Sequence, residues 1–292
     1  MARLILVLGP TASGKTSRAI QLAQQYHTHI LSVDSRQFYS ELDIGVARPT
    51  PEELAAAPHH FIACRSIHEP YNVYSFEQDA LTLLDSLFQT HDTVIAVGGS
   101  SLYIQALCKG IAPLPDPTPE LRQQLKQQLH DEGIQSLRSL LQKLDPEYYA
   151  RVDLANPARI QRALEVCITA GKPYSQLLDQ PTRPRNFAIE PVIITRSREE
   201  LRTRINDRVR QMFSDGLEEE ARQLFPLRNL TPLNTVGYKE FFALWEATSH
   251  PPLPAPLTSA QRQETIDAIS LNTWHYAKKQ LTWLKNAPIY NF

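Results

Sequence analysis

The chain carries almost no excess of either charge, with 30 Lys and Arg against 31 Asp and Glu over 292 residues. A formal net charge of -1 provides no bulk attraction for nucleic acid, so any polyanion must be held by Lys and Arg sorted onto local surfaces. Cysteine is scarce. The three present, Cys64, Cys108 and Cys167, lie far apart, lack metal-ligand spacing and cannot all pair with one another, which reads as reduced, buried thiols in a cytoplasmic protein. The nine histidines form no metal pattern, and His59-His60 reads as structural rather than ligating. No apolar run reaches the length of a membrane span, so no membrane partner is expected. The opening Met1 to Leu8 is too short for a secretory core and runs straight into a glycine motif. What remains is a globular composition, 42% hydrophobic and 21% charged, long enough for one full core and a second small domain.

The aliphatic run Leu4 to Leu8 has strand length and is followed by Gly9-Pro10-Thr11-Ala12-Ser13-Gly14-Lys15-Thr16, then by a helical stretch, Ser17 to Gln25. Strand, glycine loop and helix in this order form a P-loop. Its backbone N–H groups and the positive end of the helix make an anion nest. Lys15 is expected to reach the phosphates, and Thr16 supplies a hydroxyl where a P-loop places a Mg2+ ligand. Gly9 and Gly14 permit a backbone approach that a Cβ would obstruct.

Two more aliphatic runs end in polar groups: Ile30 to Val33 before Asp34-Ser35-Arg36-Gln37, and Val94 to Val97 before Gly98-Gly99-Ser100-Ser101. In an open parallel sheet the carboxyl edge of the strands is where ligands bind, so the P-loop, Asp34 and Ser100 are expected to share one crevice. Taken alone, Asp34 and Ser100 read equally well as helix caps or loop polar groups.

Prolines cluster at Pro113 to Pro119 and at Pro181 to Pro184, and the stretch between them reads as helical. The expected organisation is therefore a P-loop α/β core at 1–113 and 187–292, with a helical insertion at 114–186. Thr118-Pro119 and Asn156-Pro157 have the form of an N-cap followed by proline at the first helical position, and Gly171 that of a C-terminal stop. Arg159 and Arg162 share a helix face, and Arg122, Lys126 and Arg138 are candidates to join them on a basic wall facing RNA phosphates. Acids balance bases in the insertion, so a solvated helix surface is the equal alternative.

Beyond the insertion, Pro191 to Thr195 reads as a strand and Glu199 to Phe213 as an amphipathic helix. Arg204 and Arg208 lie four apart on that helix, on a face able to clamp phosphates, although spacing alone favours surface solvation. Ile266, Ile269, Ala277, Leu281 and Leu284 mark a closing helix carrying Lys278, Lys279, Trp283 and Lys285, a mixture that suits RNA or, for Trp283, simple packing.

The chain resembles the tRNA dimethylallyltransferases, or isopentenyltransferases, almost throughout. The resemblance rests on motifs in order: Gly9 to Thr16, Asp34-Ser35-Arg36-Gln37, Asp43-Ile44-Gly45 to Arg48-Pro49, Pro58-His59-His60 and Gly98 to Tyr103. Asn156-Pro157 with Arg159 to Glu165, Val236 to Glu240, and Tyr276 to Gln280 with Thr282-Trp283 complete it. The implied fold is α/β, a P-loop NTPase-like parallel sheet flanked by helices with an inserted all-helical domain. The implied reaction moves a dimethylallyl group from dimethylallyl diphosphate, bound with Mg2+ at Gly9 to Thr16, to the N6 amine of the adenosine 3' of the anticodon. By the same resemblance Asp34 is the general base, Ser100 and Arg208 assist around the leaving group, and Thr16 holds the metal. Asp34, Ser35, Arg36 and Gln37, with Ala158, Arg159, Ile160, Gln161 and Arg162, contact the tRNA anticodon stem-loop. The enzyme is expected to work as a cytoplasmic monomer.

Three positions depart from the family pattern. Ser100 stands where threonine is usual, Trp274 where arginine is common, and Ala63 where an aspartate is usual. Rival readings are a P-loop kinase, since the loop would serve ATP equally well, a free adenine-nucleotide prenyltransferase, and a phosphate-sensing RNA-binding module. Donor choice and the mass of the RNA after incubation separate them.

Overall fold

The computed structural model describes residues 2–178, 183–248 and 254–287. Met1 and the Pro181-Thr182 part of the second proline cluster lie outside these residues. The chain forms two compact units, residues 1–108 with 185–292 and residues 109–184.

The first unit begins with β1 (Arg3–Leu8), α1 (Lys15–Tyr26), β2 (Ile30–Val33), α2 (Pro51–Ala56), β3 (His59–His60), α3 (Val73–Leu87), β4 (Thr93–Gly98) and α4 (Ser101–Lys109). In the second unit follow α5 (Pro119–Glu132), α6 (Ile134–Leu144), α7 (Pro146–Arg151), α8 (Pro157–Ala170) and α9 (Tyr174–Leu178). The chain then returns to the first unit through β5 (Ala188–Ile193), α10 (Arg198–Ser214), α11 (Leu217–Leu224), α12 (Lys239–Thr248) and α13 (Ser259–Asn286).

The strands form one parallel sheet in the order β3-β2-β4-β1-β5. β1, β2 and β4 are buried on both faces, which is why they read as unbroken aliphatic runs rather than alternating ones. Leu4, Leu6 and Leu8 point to one core, while Ile5 and Val7 point to another against Ala19, Leu22 and Ala23 of α1. β5 starts and ends earlier than the aliphatic run at Pro191 to Thr195 implies. It is an edge strand whose Ala188 and Glu190 are exposed, and its register is set by pairing Ala188 with Arg3 and Ile193 with Leu8. Pro191 is tolerated because an edge strand has an unpaired side.

Behind the sheet, Arg185 donates from Nε to Leu107 O at 2.9 Å, and its Nη2 meets Glu77 at 2.7 Å in a buried ion pair. In the second unit Arg183 N donates to Lys109 O at 2.9 Å, so the outgoing and returning chains are stitched at both levels. Thr118 and Asn156 cap α5 and α8 by accepting from Leu121 N and Arg159 N, and Gly171 closes α8 in the left-handed conformation with φ 64°. The helices pack around Leu125, Leu137, Leu141, Ile160, Ala163 and Leu164. Of the cysteines, Cys108 and Cys167 are buried, but Cys64 is exposed. Cys64 lies in the irregular segment after β3.

Candidate active site

The strand order places the end of β4 between the ends of β1 and β2, so the loops carrying Thr11, Ser100 and Asp34 are neighbours at the carboxyl edge. The P-loop turns on Ala12 and Gly14, both with positive φ. Ser13 N donates back to Pro10 O at 3.2 Å. The amides of Gly14, Lys15 and Thr16 stand at the start of α1, where no preceding turn of helix supplies acceptors.

Three arginines crown this loop. Arg196 donates from Nε to Ser13 O at 3.2 Å, Arg204 from Nε to Ala12 O at 2.7 Å, and Arg208 from Nη1 to Thr11 Oγ1 at 3.1 Å. A Cβ on Gly14 would come within 3.8 Å of both Arg204 and Arg196 Nη2, so two guanidinium heads converge on the nest. Burial lowers the Lys15 pKa to about 8, helped by the Arg208 charge and opposed by Asp34. Burial also lowers Arg208, with Asp34 and Glu53 pulling the other way. Positive charge is thus concentrated where an anion would relieve it.

Two cavities meet at Arg208, Ala47 and Met212. The larger, about 630 Å³, is lined by Gly14, Lys15, Thr16 and Arg204 together with the acids Asp43, Glu53, Asp207 and Asp215. The smaller, about 230 Å³, holds Asp34, Ser35, Arg36, Val46, Ile269 and Tyr276. Asp34 Oδ1 accepts from Arg36 N at 2.9 Å, which fixes the carboxylate at the turn. Tyr276 is pushed up to about 12, first by burial of its hydroxyl end and then by Asp34, against hydrogen bonds to Ser100 and Gln280. The shared wall is held from outside. Glu220 accepts from Ile44 N at 2.7 Å and Gly45 N at 3.1 Å, and also from the Tyr238 hydroxyl, whose pKa is raised by burial and by that carboxylate.

Among the described residues no group of three or more His, Cys, Asp or Glu converges as a self-sufficient metal site. The donor set around Thr16 still fits Mg2+, a hard cation that takes one or two protein oxygens and completes its shell with phosphate and water.

Several expected site residues have internal duties. Ser100 is buried, and its Oγ accepts from Ser35 N at 3.0 Å, so it ties the β4 turn to the β2 turn. Gln37 accepts from Ser32 Oγ at 3.0 Å and donates to Ala47 O at 2.9 Å, making it a strut for the cavity wall. In the insertion, Ala158 and Arg159 are exposed, but Ile160 is fully buried in the helical core. The expected RNA contact by Ile160 is corrected on that ground, because helical spacing from the Asn156 cap points it inward with Ala163 and Leu164. Gln161 and Arg162 both turn to the buried Glu165, at 3.2 and 3.6 Å, and Arg122 joins them at 3.7 Å. Arg138 Nε donates to Leu154 O at 2.8 Å. Lys126 and Arg159 remain open to solvent. Trp274 stacks with Arg202 at 5.2 Å and Lys278 at 6.0 Å.

Arg196 and Glu220 were not singled out by sequence reasoning, and Gln280 entered it only as the end of a family motif, with no role assigned. Arg196 follows β5 at the same carboxyl edge that flags Asp34, so the edge rule extended to β5 would have found it. Thr273, Tyr276 and Gln280 form a polar line at helical spacing on α13, a signal hidden by the apolar stripe beside it.

The model of the IPP transferase family matches residues 37–287. The chain belongs to that family. The match begins beyond the P-loop, so it does not depend on that motif. A tRNA dimethylallyltransferase of Christiangramia forsetii is 45% identical over 285 residues, covering 98% of this chain and 91% of that protein. The crystal structure of the tRNA isopentenylpyrophosphate transferase from Bacillus halodurans superposes with a TM-score of 0.66 at 31% identity, over 98% of this chain and 88% of that one. A eukaryotic dimethylallyltransferase acting on tRNA shares the fold, with a TM-score of 0.75 at 22% identity, over 97% of this chain and 70% of that chain. IPP transferases with this fold thus combine a parallel P-loop-type sheet with flanking helices. No helix among the described residues is long and apolar enough to cross a membrane.

Proposed function

We propose that this IPP transferase moves a dimethylallyl group from dimethylallyl diphosphate to the N6 amine of the adenosine 3' of the anticodon in tRNA, releasing diphosphate. The observation that carries the proposal is the shared wall. Arg208 and the Thr11 hydroxyl stand between a phosphate nest bearing Lys15 and Thr16 and a second cavity bearing the Asp34 carboxylate. The names of the relatives support the same substrates.

In this reading the diphosphate lies on the Gly14, Lys15 and Thr16 amides, with Arg196, Arg204 and Arg208 above it. The adenine enters the Asp34 cavity, unstacked from its loop. The N6 lone pair forms a bond to C1 of the allyl group as the C1–O bond breaks. The bond's electrons leave on the diphosphate oxygen, and the N6 proton passes to Asp34. An exocyclic amine is a poor nucleophile until that proton begins to leave, and a placed general base contributes on the order of 10²–10⁴-fold. Lys15, Arg208 and the amides stabilise the departing charge most as it develops. Mg2+, held through Thr16 and the phosphates, would supply further neutralisation of that charge. Val46, Val209, Met212 and Ile269 line the Asp34 cavity with apolar surface, which keeps water from an allylic carbon with cationic character.

Lys126 and Arg159 of the insertion supply contacts to tRNA phosphates, and the chain acts as a cytoplasmic monomer alongside its substrate. The test is the intact mass of an unmodified anticodon stem-loop after incubation with protein, Mg2+ and dimethylallyl diphosphate. One added dimethylallyl unit on the adenosine beside the anticodon is expected. An unchanged RNA with turnover of AMP or ATP in parallel reactions replaces this reading by a nucleotide prenyltransferase or a kinase.

A further inference from the structure

We infer that Gln280 is a positioning residue for this transfer, locking the P-loop to the Gly99 turn so that the Thr11 hydroxyl is presented to Arg208. The inference rests on the prenyl-transfer reading. Gln280 is 6% exposed, on α13, within the first unit. Its Oε1 accepts from Thr11 N at 2.8 Å, and its Nε2 donates to Gly99 O at 2.9 Å. The two partners are a donor and an acceptor, so the orientation of the amide is fixed by the network. A Cβ on Gly99 would lie 2.3 Å from Gln280 Nε2, so any side chain there would displace the carboxamide from its present position.

Two consequences follow for the site. The Thr11 amide is withdrawn from the phosphate nest, leaving the nest to the amides at the start of α1. Thr11 is held by its backbone while its Oγ1 accepts from Arg208, so the guanidinium that faces both cavities is aimed through Gln280. The next residue after Gly99 is Ser100, whose hydroxyl accepts from Ser35 N. One side chain from the last helix therefore aligns the turns after β1 and β4, and through Ser100 the turn that bears Asp34.

The test uses Gln280→Met and Gln280→Glu in the full chain, with melting temperatures taken as a fold check. Methionine keeps the shape and loses the hydrogen bonds to Thr11 N and Gly99 O, together with the one to Tyr276. Misplacement of reacting groups by about an ångström costs on the order of 10²-fold, so kcat should fall tenfold to a hundredfold while KM for the RNA stays within about twofold. Glutamate can replace the carboxamide only when protonated, with its O–H to Gly99 O and its carbonyl oxygen accepting from Thr11 N. Tyr276 on the same helix, with Lys15, Asp34 and Arg208 on the facing elements, surrounds the position. These groups are present in both proteins, so the readout is the ratio of variant to wild-type kcat at each pH. That ratio should rise as the pH is lowered from 8 to 5.5. Wild-type kcat in Gln280→Met, or a flat ratio in folded Gln280→Glu, overturns the inference while leaving the transfer reading intact. No mass gain with the wild-type protein overturns both.

Discussion

Asp34 and Asp145 show how differently the two units use a carboxylate that binds backbone amides. Asp145 is fully buried in the insertion, where it accepts from Tyr148 N at 2.9 Å, Ser175 N at 2.7 Å and Ser175 Oγ at 2.8 Å. Its lone pairs are consumed by the fold. Asp34 accepts from Arg36 N and otherwise faces a cavity, so it retains acceptor capacity for a ligand. The arginines follow the same division. Arg122 and Arg162 share Glu165. Arg204 and Arg208 instead bond to the P-loop's own oxygens, with no carboxylate in ion-pair distance among the described residues. Polar groups that complete one another build a scaffold, and those left incomplete mark the site.

That contrast can be broken most directly at Asp34. Asp34→Ala should lower kcat by about 10²–10⁴-fold while gel-shift affinity for the stem-loop holds; near-normal turnover would remove Asp34 as the base. Arg208→Ala is expected to lose about 10²-fold or more in kcat/KM for the donor, in line with removal of one preorganised donor to a developing anion. An effect confined to RNA affinity would contradict its place over the P-loop. Asp145→Ala should leave donor kinetics unchanged and destabilise the protein by about 2–3 kcal/mol, because Ser175 is left with unpaired buried groups. Urea unfolding reads this, and altered catalysis at equal stability would erase the distinction between the two aspartates.

Lys15 sharpens the comparison through pH. Its pKa of about 8 in the free protein means that the charged form dominates below pH 8 and is lost above it. A bound diphosphate favours the charged form, so donor KM should be flat below pH 7 and rise above pH 8, approaching tenfold per unit at most. Smallest is Arg138→Ala. It removes the bond to Leu154 O and should cost about 1 kcal/mol of stability with kcat unchanged.

Much of the core was legible because fully buried parallel strands leave an unbroken aliphatic signature. The P-loop, Asp34 and the Thr118, Asn156 and Gly171 helix ends all carry their conformation in local sequence. The rest depends on partners far along the chain. Ser100 and Gln37 announce polar side chains at a sheet edge, but nothing local says that their hydrogen bonds are satisfied by Ser35 and Ala47. Ile160 sits in a basic-looking stretch, and although helical spacing groups it with Ala163 and Leu164, it is the packing of that face against Leu125 and Leu137 that buries it. Arg196 was missed although the aliphatic run before it reads as a strand, because the carboxyl-edge rule was applied only to the strands that end in Asp34 and Ser100. Gln280 meets Thr11 and Gly99 only after the whole sheet is assembled.

The stitched exit of the insertion has a bearing on how such a protein is assembled. Arg185 bonds to Leu107 O and Glu77 in the first unit, and Arg183 to Lys109 O in the second, so the chain departs and returns through a single doorway. A segment hung from one doorway adds little to the ordering cost of its host, since each doubling of a closed loop's length adds only about 0.6 kcal/mol. The helical unit is in that sense a cassette, free to lengthen, shorten or change its surface while the doorway residues keep the catalytic sheet whole.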